Sequence, residues 1–246
     1  DKEIQYVSVV DKQLMVSKTD ITTGQELEGA DLTVTDSEGN VIDSWTSTTE
    51  PHIVTGLSEG QTYTLTEVTA PYGYELTESV EFTVSTEKTT QKVVMKDAPI
   101  LASVMVNKVD SVTGENIISR DFEFTIYSDP ECKNEITTVN ANTEDGTALF
   151  ADLRYGTYYI KETKAPLGYE LSDEVVEVII NDEGVFANDK ELSEENGVYS
   201  FEYQNTLLPS LFTGDNNRVM MYVTIGIIAV IFIIAMIIIK KKAFKK

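Results

Sequence analysis

A fifteen-residue pattern occurs twice and limits the fold more than any other feature: TYTLTEVTAPYGYEL at 62–76 and TYYIKETKAPLGYEL at 157–171. In the first half of each, side chains alternate with the period of two that a strand imposes. Tyr63, Leu65 and Glu67 share one face, and so do Tyr158, Ile160 and Glu162. Ala-Pro follows in both copies. Pro71 and Pro166 are expected to end the strand, because a central strand has no place for proline. Gly73 and Gly168 suit the turn beyond. Each pattern therefore puts a carboxylate where an apolar core residue belongs, and burying it is costly unless something pairs with it.

Other segments repeat in the same order. LMVSKTDITTG (14–24) matches VMVNKVDSVTG (104–114), and each places a lysine on an apolar face: Leu14, Val16, Lys18 and Val104, Val106, Lys108. VVMKDAP (93–99) aligns Val93, Met95 and Asp97, and FEYQNT (201–206) aligns Phe201, Tyr203 and Asn205. Repetition of this kind implies duplicated domains in series, here 13–99 and 100–206. Between these landmarks the signals are β throughout: a hairpin in ADLTVTDSEGNVIDSW (30–45), and strands in FEFTIYSD (122–129), GTALFADLRYGTYYIKE (146–162), ESVEFTV (78–84) and DEVVEVIIN (173–181). The expected fold class is all-β, with tandem Ig-like β-sandwiches of roughly 90–110 residues each. QYVSVVDKQL (5–14) resembles the closing strand QKVVMKDAPI (91–100), with Val7, Val9 and Asp11 alternating inward. Residues 1–12 thus read as the last strand of a preceding domain, and the chain as a piece of a longer one.

Past residue 206 the character changes. Val219–Ile239 is a run of 21 residues without charge, long enough for one transmembrane helix. The basic tail KKKAFKK (240–246) marks the cytoplasmic side, which puts the N-terminal part outside, joined by a linker at 207–218. The formal charge is -22; residues 215–246 carry a net +5, so the remainder stands at -27, five units more negative than the total. Such a field excludes nucleic acid as a natural partner. Cys132 is the one cysteine, so no internal disulfide forms. With His52 as the one histidine, a His-rich metal site or a His-based triad is also excluded, and no cofactor is expected.

Each copy thus turns one Lys, one Glu and one Asp or Asn inward. One reading is a satisfied polar cluster, or strands at sheet edges whose polar ends reach water. The other is covalent. Burial lowers a lysine pKa and raises that of a carboxylic acid. A neutral amine is a nucleophile. A protonated Glu beside the Asp or Asn carbonyl polarises it and shuttles protons. The fold makes the reaction effectively unimolecular. The product is a side-chain amide that ties the first strand of each domain to its last.

Both copies resemble the CnaB-type (SpaA-like) domains of Gram-positive pilins and surface adhesins, through the E-x-x-A-P-x-G-Y segments and the trio of polar residues. The resemblance covers residues 13–206. It implies autocatalytic isopeptide bonds from Lys18 to Asp97 with Glu67 catalytic, and from Lys108 to Asn205 with Glu162 catalytic. Asp97 departs from the commoner Asn, although an Asp acceptor also belongs to the family pattern. The C-terminus resembles a cell-wall sorting signal. Its motif, LPSLFTG (208–214), carries two extra residues between Leu208-Pro209 and Thr213-Gly214. The resemblance implies cleavage between Thr213 and Gly214 by a sortase and transfer to peptidoglycan, with retention as a single-pass membrane protein as the alternative. No Tyr-Pro-Lys-Asn-like polymerisation motif is present.

The leading expectation is a structural stalk on the cell surface, whether in a pilin subunit or a solitary protein. An adhesin whose own domains bind a host or matrix protein is the alternative. Catalysis on outside substrates is not expected, since Glu75 and Glu170 lack an evident acid partner for a glycosidase pair.

Overall fold

The computed structural model describes residues 12–87, 90–118, 121–142 and 144–209. The expected strand at 1–12 with Asp11, the sorting pair Thr213 and Gly214, the membrane span 219–239 and the basic tail lie outside the described residues, apart from Lys12. Among the described residues no helix is long and apolar enough to cross a membrane.

The first seven strands are β1 (Lys12–Asp20), β2 (Asp31–Thr35), β3 (Val41–Thr46), β4 (His52–Leu57), β5 (Thr62–Thr69), β6 (Val80–Thr83) and β7 (Thr90–Asp97). They form two sheets, ordered β4-β1-β7 and β3-β2-β5-β6. Alternation drives this arrangement: Leu32, Val34, Tyr63, Leu65 and Phe82 from one sheet bury against Leu14, Val16, Val54, Val93 and Met95 from the other. The pairing of β1 with β7 is parallel, Lys18 lying opposite Met95 and Asp20 opposite Asp97. First and last strands are therefore neighbours, so a bond between them closes the domain.

The second set repeats the plan with β8 (Leu101–Asp110), β9 (Glu123–Tyr127), β10 (Glu135–Asn140), β11 (Thr147–Arg154), β12 (Gly156–Lys164) and β13 (Val175–Asn181). It then adds β14 (Gly184–Ala187), β15 (Lys190–Glu191) and β16 (Glu194–Glu195) before the closing strand β17 (Val198–Asn205). The sheets are β11-β8-β17-β16 and β10-β9-β12-β13-β14-β15. Here too first and last strands run parallel, with Lys108 opposite Tyr203 and Asp110 opposite Asn205. The core gathers Phe122, Phe124, Phe150, Ile126, Ile160 and Tyr203 around valines from both sheets. Strands β4, β10 and β14–β16 were not among the segments the sequence pattern picks out. Phe201, expected inward, is only half-buried.

Both strands carrying the duplicated pattern stop before their proline, β5 at Thr69 and β12 at Lys164. The turn after each proline needs a residue with positive φ, which Gly73 (φ +81°) and Gly168 (φ +92°) supply at no steric cost.

Candidate functional site

Strand β5 lies in one sheet of the first sandwich, and β1 and β7 lie in the other. Glu67 therefore reaches across the interior to meet two side chains on neighbouring strands. Lys18 Nζ lies 2.7 Å from Glu67 Oε1 and also donates to Asp97 Oδ1. All three residues are buried, at 2 %, 4 % and 0 % exposure for Lys18, Glu67 and Asp97. In the second sandwich Lys108 pairs with Glu162, and Asn205 Nδ2 donates to both carboxylate oxygens of Glu162, at 3.2 and 2.9 Å. The six residues singled out by sequence thus fall into two separate clusters, one at the heart of each sandwich.

The motif after each Glu explains how the carboxylate is held. The chain turns at Ala-Pro-x-Gly and comes back over the end of the strand. The backbone N–H of Thr77 then donates to Glu67 Oε2 at 2.8 Å, and that of Ser172 to Glu162 Oε2 at 2.9 Å. One carboxylate oxygen is fixed to the loop, which leaves Oε1 to face the lysine. In the second copy the same loop provides the Glu170 carbonyl, which accepts from Asn205 Nδ2 at 2.8 Å. Asn205 is held by its amide nitrogen, and its carbonyl oxygen has no hydrogen-bond partner.

Polar groups inside proteins are nearly always paired, so exceptions call for an explanation. Among the described residues, five buried side-chain atoms lack a hydrogen-bond partner: Ser17 Oγ, Glu67 Oε1, Asp97 Oδ2, Lys108 Nζ and Asn205 Oδ1. Four of the five belong to the two clusters. Two of them, Glu67 Oε1 and Lys108 Nζ, do have an ion-pair neighbour, but without the geometry of a hydrogen bond.

The surroundings set the protonation states. Burial pushes Asp97 up from the usual carboxylate range to about 6; Lys18 opposes the shift and the Glu67 charge adds to it. Burial likewise pulls Lys108 down to about 8, against the opposing pull of Glu162. The Lys108 ammonium position is walled by aromatic rings, 4.3 Å from the Tyr203 centroid, 4.8 Å from Phe124 and 5.9 Å from Phe122. Tyr203 turns its hydroxyl away to the Glu174 carbonyl at 2.8 Å and its own pKa rises to about 12 through burial. The arrangement can hold an uncharged amine, a carbonyl acceptor and a proton carrier together, buried from bulk solvent.

Other residues of these clusters escaped sequence reasoning. Asp20 and Asp110 end the first strands and organise the next turns. Asp20 Oδ1 accepts from Thr22 and Thr23 N–H, and Asp110 Oδ1 from Val112 and Thr113 N–H. The motif tyrosines, Tyr74 and Tyr169, donate to the same aspartates at 2.9 and 3.1 Å. The D-x-x-T-G repeat was the available signal. His52 stacks on Trp45 at 4.1 Å and pairs with Asp43, which is a structural role. Cys132 is a free thiol whose pKa burial raises. No group of acidic, His or Cys residues among those described is arranged to hold a metal ion.

Comparison with known proteins completes the picture. A family model described as SpaA, prealbumin-like fold domain, matches residues 12–99 and again 102–197. Among solved structures the chain is similar to the Bacillus anthracis TIE protein, at 27% identity and a TM-score of 0.61, over 81% of this chain and 34% of that one. It therefore spans about a third of that relative's length. It is also similar in fold to the C-terminal fragment of the pilus adhesin SpaC from Lactobacillus rhamnosus GG, at 16% identity and a TM-score of 0.55, over 82% of this chain and 99% of that fragment. A search of curated proteins finds no match.

Proposed function

The chain belongs to the SpaA family of prealbumin-like fold domains, and from that premise we propose that it is a stalk segment of a Gram-positive surface protein or pilin, locked by two internal amide bonds. The observation that carries the reading is the pair of buried Lys–Glu–Asp/Asn clusters, in each of which side chains from the neighbouring first and last strands meet a Glu from the facing sheet.

In the second copy the neutral Lys108 amine attacks the Asn205 side-chain carbonyl carbon. A C–N bond forms, the bond from that carbon to Nδ2 breaks, and ammonia leaves. Glu162 already accepts hydrogen bonds from Nδ2, so it stands where a proton must be delivered to the leaving nitrogen. It recovers that proton from the attacking amine, and no net charge is created. In the first copy Lys18 attacks the Asp97 carboxyl carbon, Glu67 carries the proton, and water leaves. The first product exchanges the buried Lys18–Asp97 ion pair for a neutral amide, and the second removes the ionisable Lys108 amine from the core. Buried ion pairs repay their desolvation poorly, so covalent closure also removes an electrostatic cost.

A sortase would cut LPSLFTG between Thr213 and Gly214 and pass the stalk to peptidoglycan, with residues 219–239 holding the substrate in the membrane until then. Neighbouring pilin subunits are the natural partners of such a stalk.

Pulling on single molecules tests the function. Tension enters a domain at one end strand and leaves at the other, so an amide between those strands carries the load. The intact chain should show almost no extension between residues 108 and 205, whereas Lys108→Ala should lengthen by most of that segment. Equal lengthening in both would mean that no bond carries the load.

A further inference from the structure

The two aspartates that follow the lysines are built alike but used differently. Asp20 and Asp110 share the same two turn N–H donors, the same tyrosine and the same backbone closure, in which the residue after each donates its N–H to the carbonyl of the acceptor residue, Ile21 to Asp97 and Ser111 to Asn205, both at 2.9 Å. Both are almost fully buried, at 2 % and 6 % exposure. In the first copy the remaining capacity of Asp20 Oδ2 is taken by a guanidinium from the second domain. Arg154 Nη1 donates to Asp20 Oδ2 at 2.6 Å and to the Tyr74 hydroxyl at 3.2 Å, and Nη2 reaches Thr22 Oγ1 at 3.4 Å. Beside it Tyr155 packs edge-on against Tyr72 at 5.3 Å, over Gly73. The equivalent edge of the second copy has Asp110 and Tyr169 in place, with Leu167 where Tyr72 stands. Leu167 is 87 % exposed, and Asp110 Oδ2 accepts from the Tyr169 hydroxyl, with no cationic side chain among the described residues paired to it.

We propose that Asp110, Tyr169 and Leu167 form a second arginine socket, which receives an arginine followed by an aromatic residue from another SpaA-like domain in a partner chain, at the corner where the chain passes from one sheet to the other, as it does between β11 and β12 here. The occupied first socket specifies the ligand. A planar guanidinium suits a carboxylate and a phenol side by side, where a lysine would serve only as a point charge. The neighbouring aromatic would cover Leu167 as Tyr155 covers Tyr72. Copy one of a second molecule cannot supply it, because its corresponding corner reads Leu57-Ser58-Glu59, with a carboxylate where an aromatic is needed and no cation. The partner is therefore a domain whose Arg-aromatic corner is not already engaged as Arg154 is with Asp20, and the joint repeats between molecules the contact that this chain makes between its own domains. The inference rests on the duplicated turn geometry and is independent of the amide bonds.

A cyclic peptide carrying Asp-Leu-Arg-Tyr-Gly (152–156) is the probe, titrated to millimolar concentration into the full chain with labelled Leu methyl and Tyr ring signals. Leu167 and Tyr169 should shift saturably in the wild-type chain. Asp110→Asn and a peptide with Gln for Arg should both abolish the shift. Arg154→Gln should open the first socket and add a response at Tyr74. A wild-type chain with no saturable shift at Tyr169, whatever happens at Tyr74, overturns the proposal. So does a shift that appears only in Arg218→Gln, since the socket would then be filled from the chain's own C-terminal segment.

Discussion

At the scale of single residues, the question is why a folded domain keeps a lysine in its core. Lys18 and Lys108 rank among the largest fully buried side chains of the molecule. A lone ammonium there would be strongly disfavoured, and the protein answers by lowering its proton affinity, as at Lys108. Bond formation in the second copy should therefore follow the neutral amine. In chain refolded from denaturant before cross-linking, its rate should rise about tenfold per pH unit below about 8 and level off above. The first copy should instead lose rate as pH rises through about 6, where Asp97 surrenders its proton and the carboxylate resists attack. Time-resolved intact mass reads both. Glu162→Ala should slow the second closure by roughly 10²–10⁴-fold, the usual worth of a positioned proton carrier, without affecting the first. These residues were legible in the sequence because period-two alternation exposes a polar residue on an apolar face. Asp20, Tyr74 and Arg154 were not, because they meet through loops and strand ends, where no periodicity marks which side chain faces which.

At the scale of elements, the closing geometry depends on local backbone devices. Gly146 is one. It has φ +71°, its carbonyl accepts from Lys108 N–H, and a Cβ there would lie 2.3 Å from the Ile117 carbonyl oxygen. Gly146→Ala should destabilise the second domain by about 1–3 kcal/mol, read by denaturant unfolding in the Lys108→Ala background, where no cross-link hides the loss. The first domain's unfolding should stay unchanged. The strands with strong alternation or a flanking Gly/Pro signal were readable from sequence. Strands β15 and β16 were not, at two residues each, because no periodic pattern can be recognised over so short a span. Nor was β10, EITTVN, in which most side chains are exposed, so no apolar face stands out.

At the scale of the whole molecule, the proposed amides would make the chain a series of closed sandwiches that carries load. Each closure joins residues far apart in sequence, Lys18 to Asp97 over 79 positions in the first domain. A cross-link of that span restricts the unfolded chain by roughly 4–5 kcal/mol in the ideal loop model. With no internal disulfide available, this is the covalent reinforcement open to the protein. The most direct measurement is the intact mass of fragment 13–206 followed by sequencing of its cross-linked peptides. The mass should be lower than the composition by one water and one ammonia, with Lys18 joined to Asp97 and Lys108 to Asn205. Glu67→Ala should restore only the water and Glu162→Ala only the ammonia. An unmodified mass, or a loss that neither glutamate substitution restores, would contradict the proposed amides.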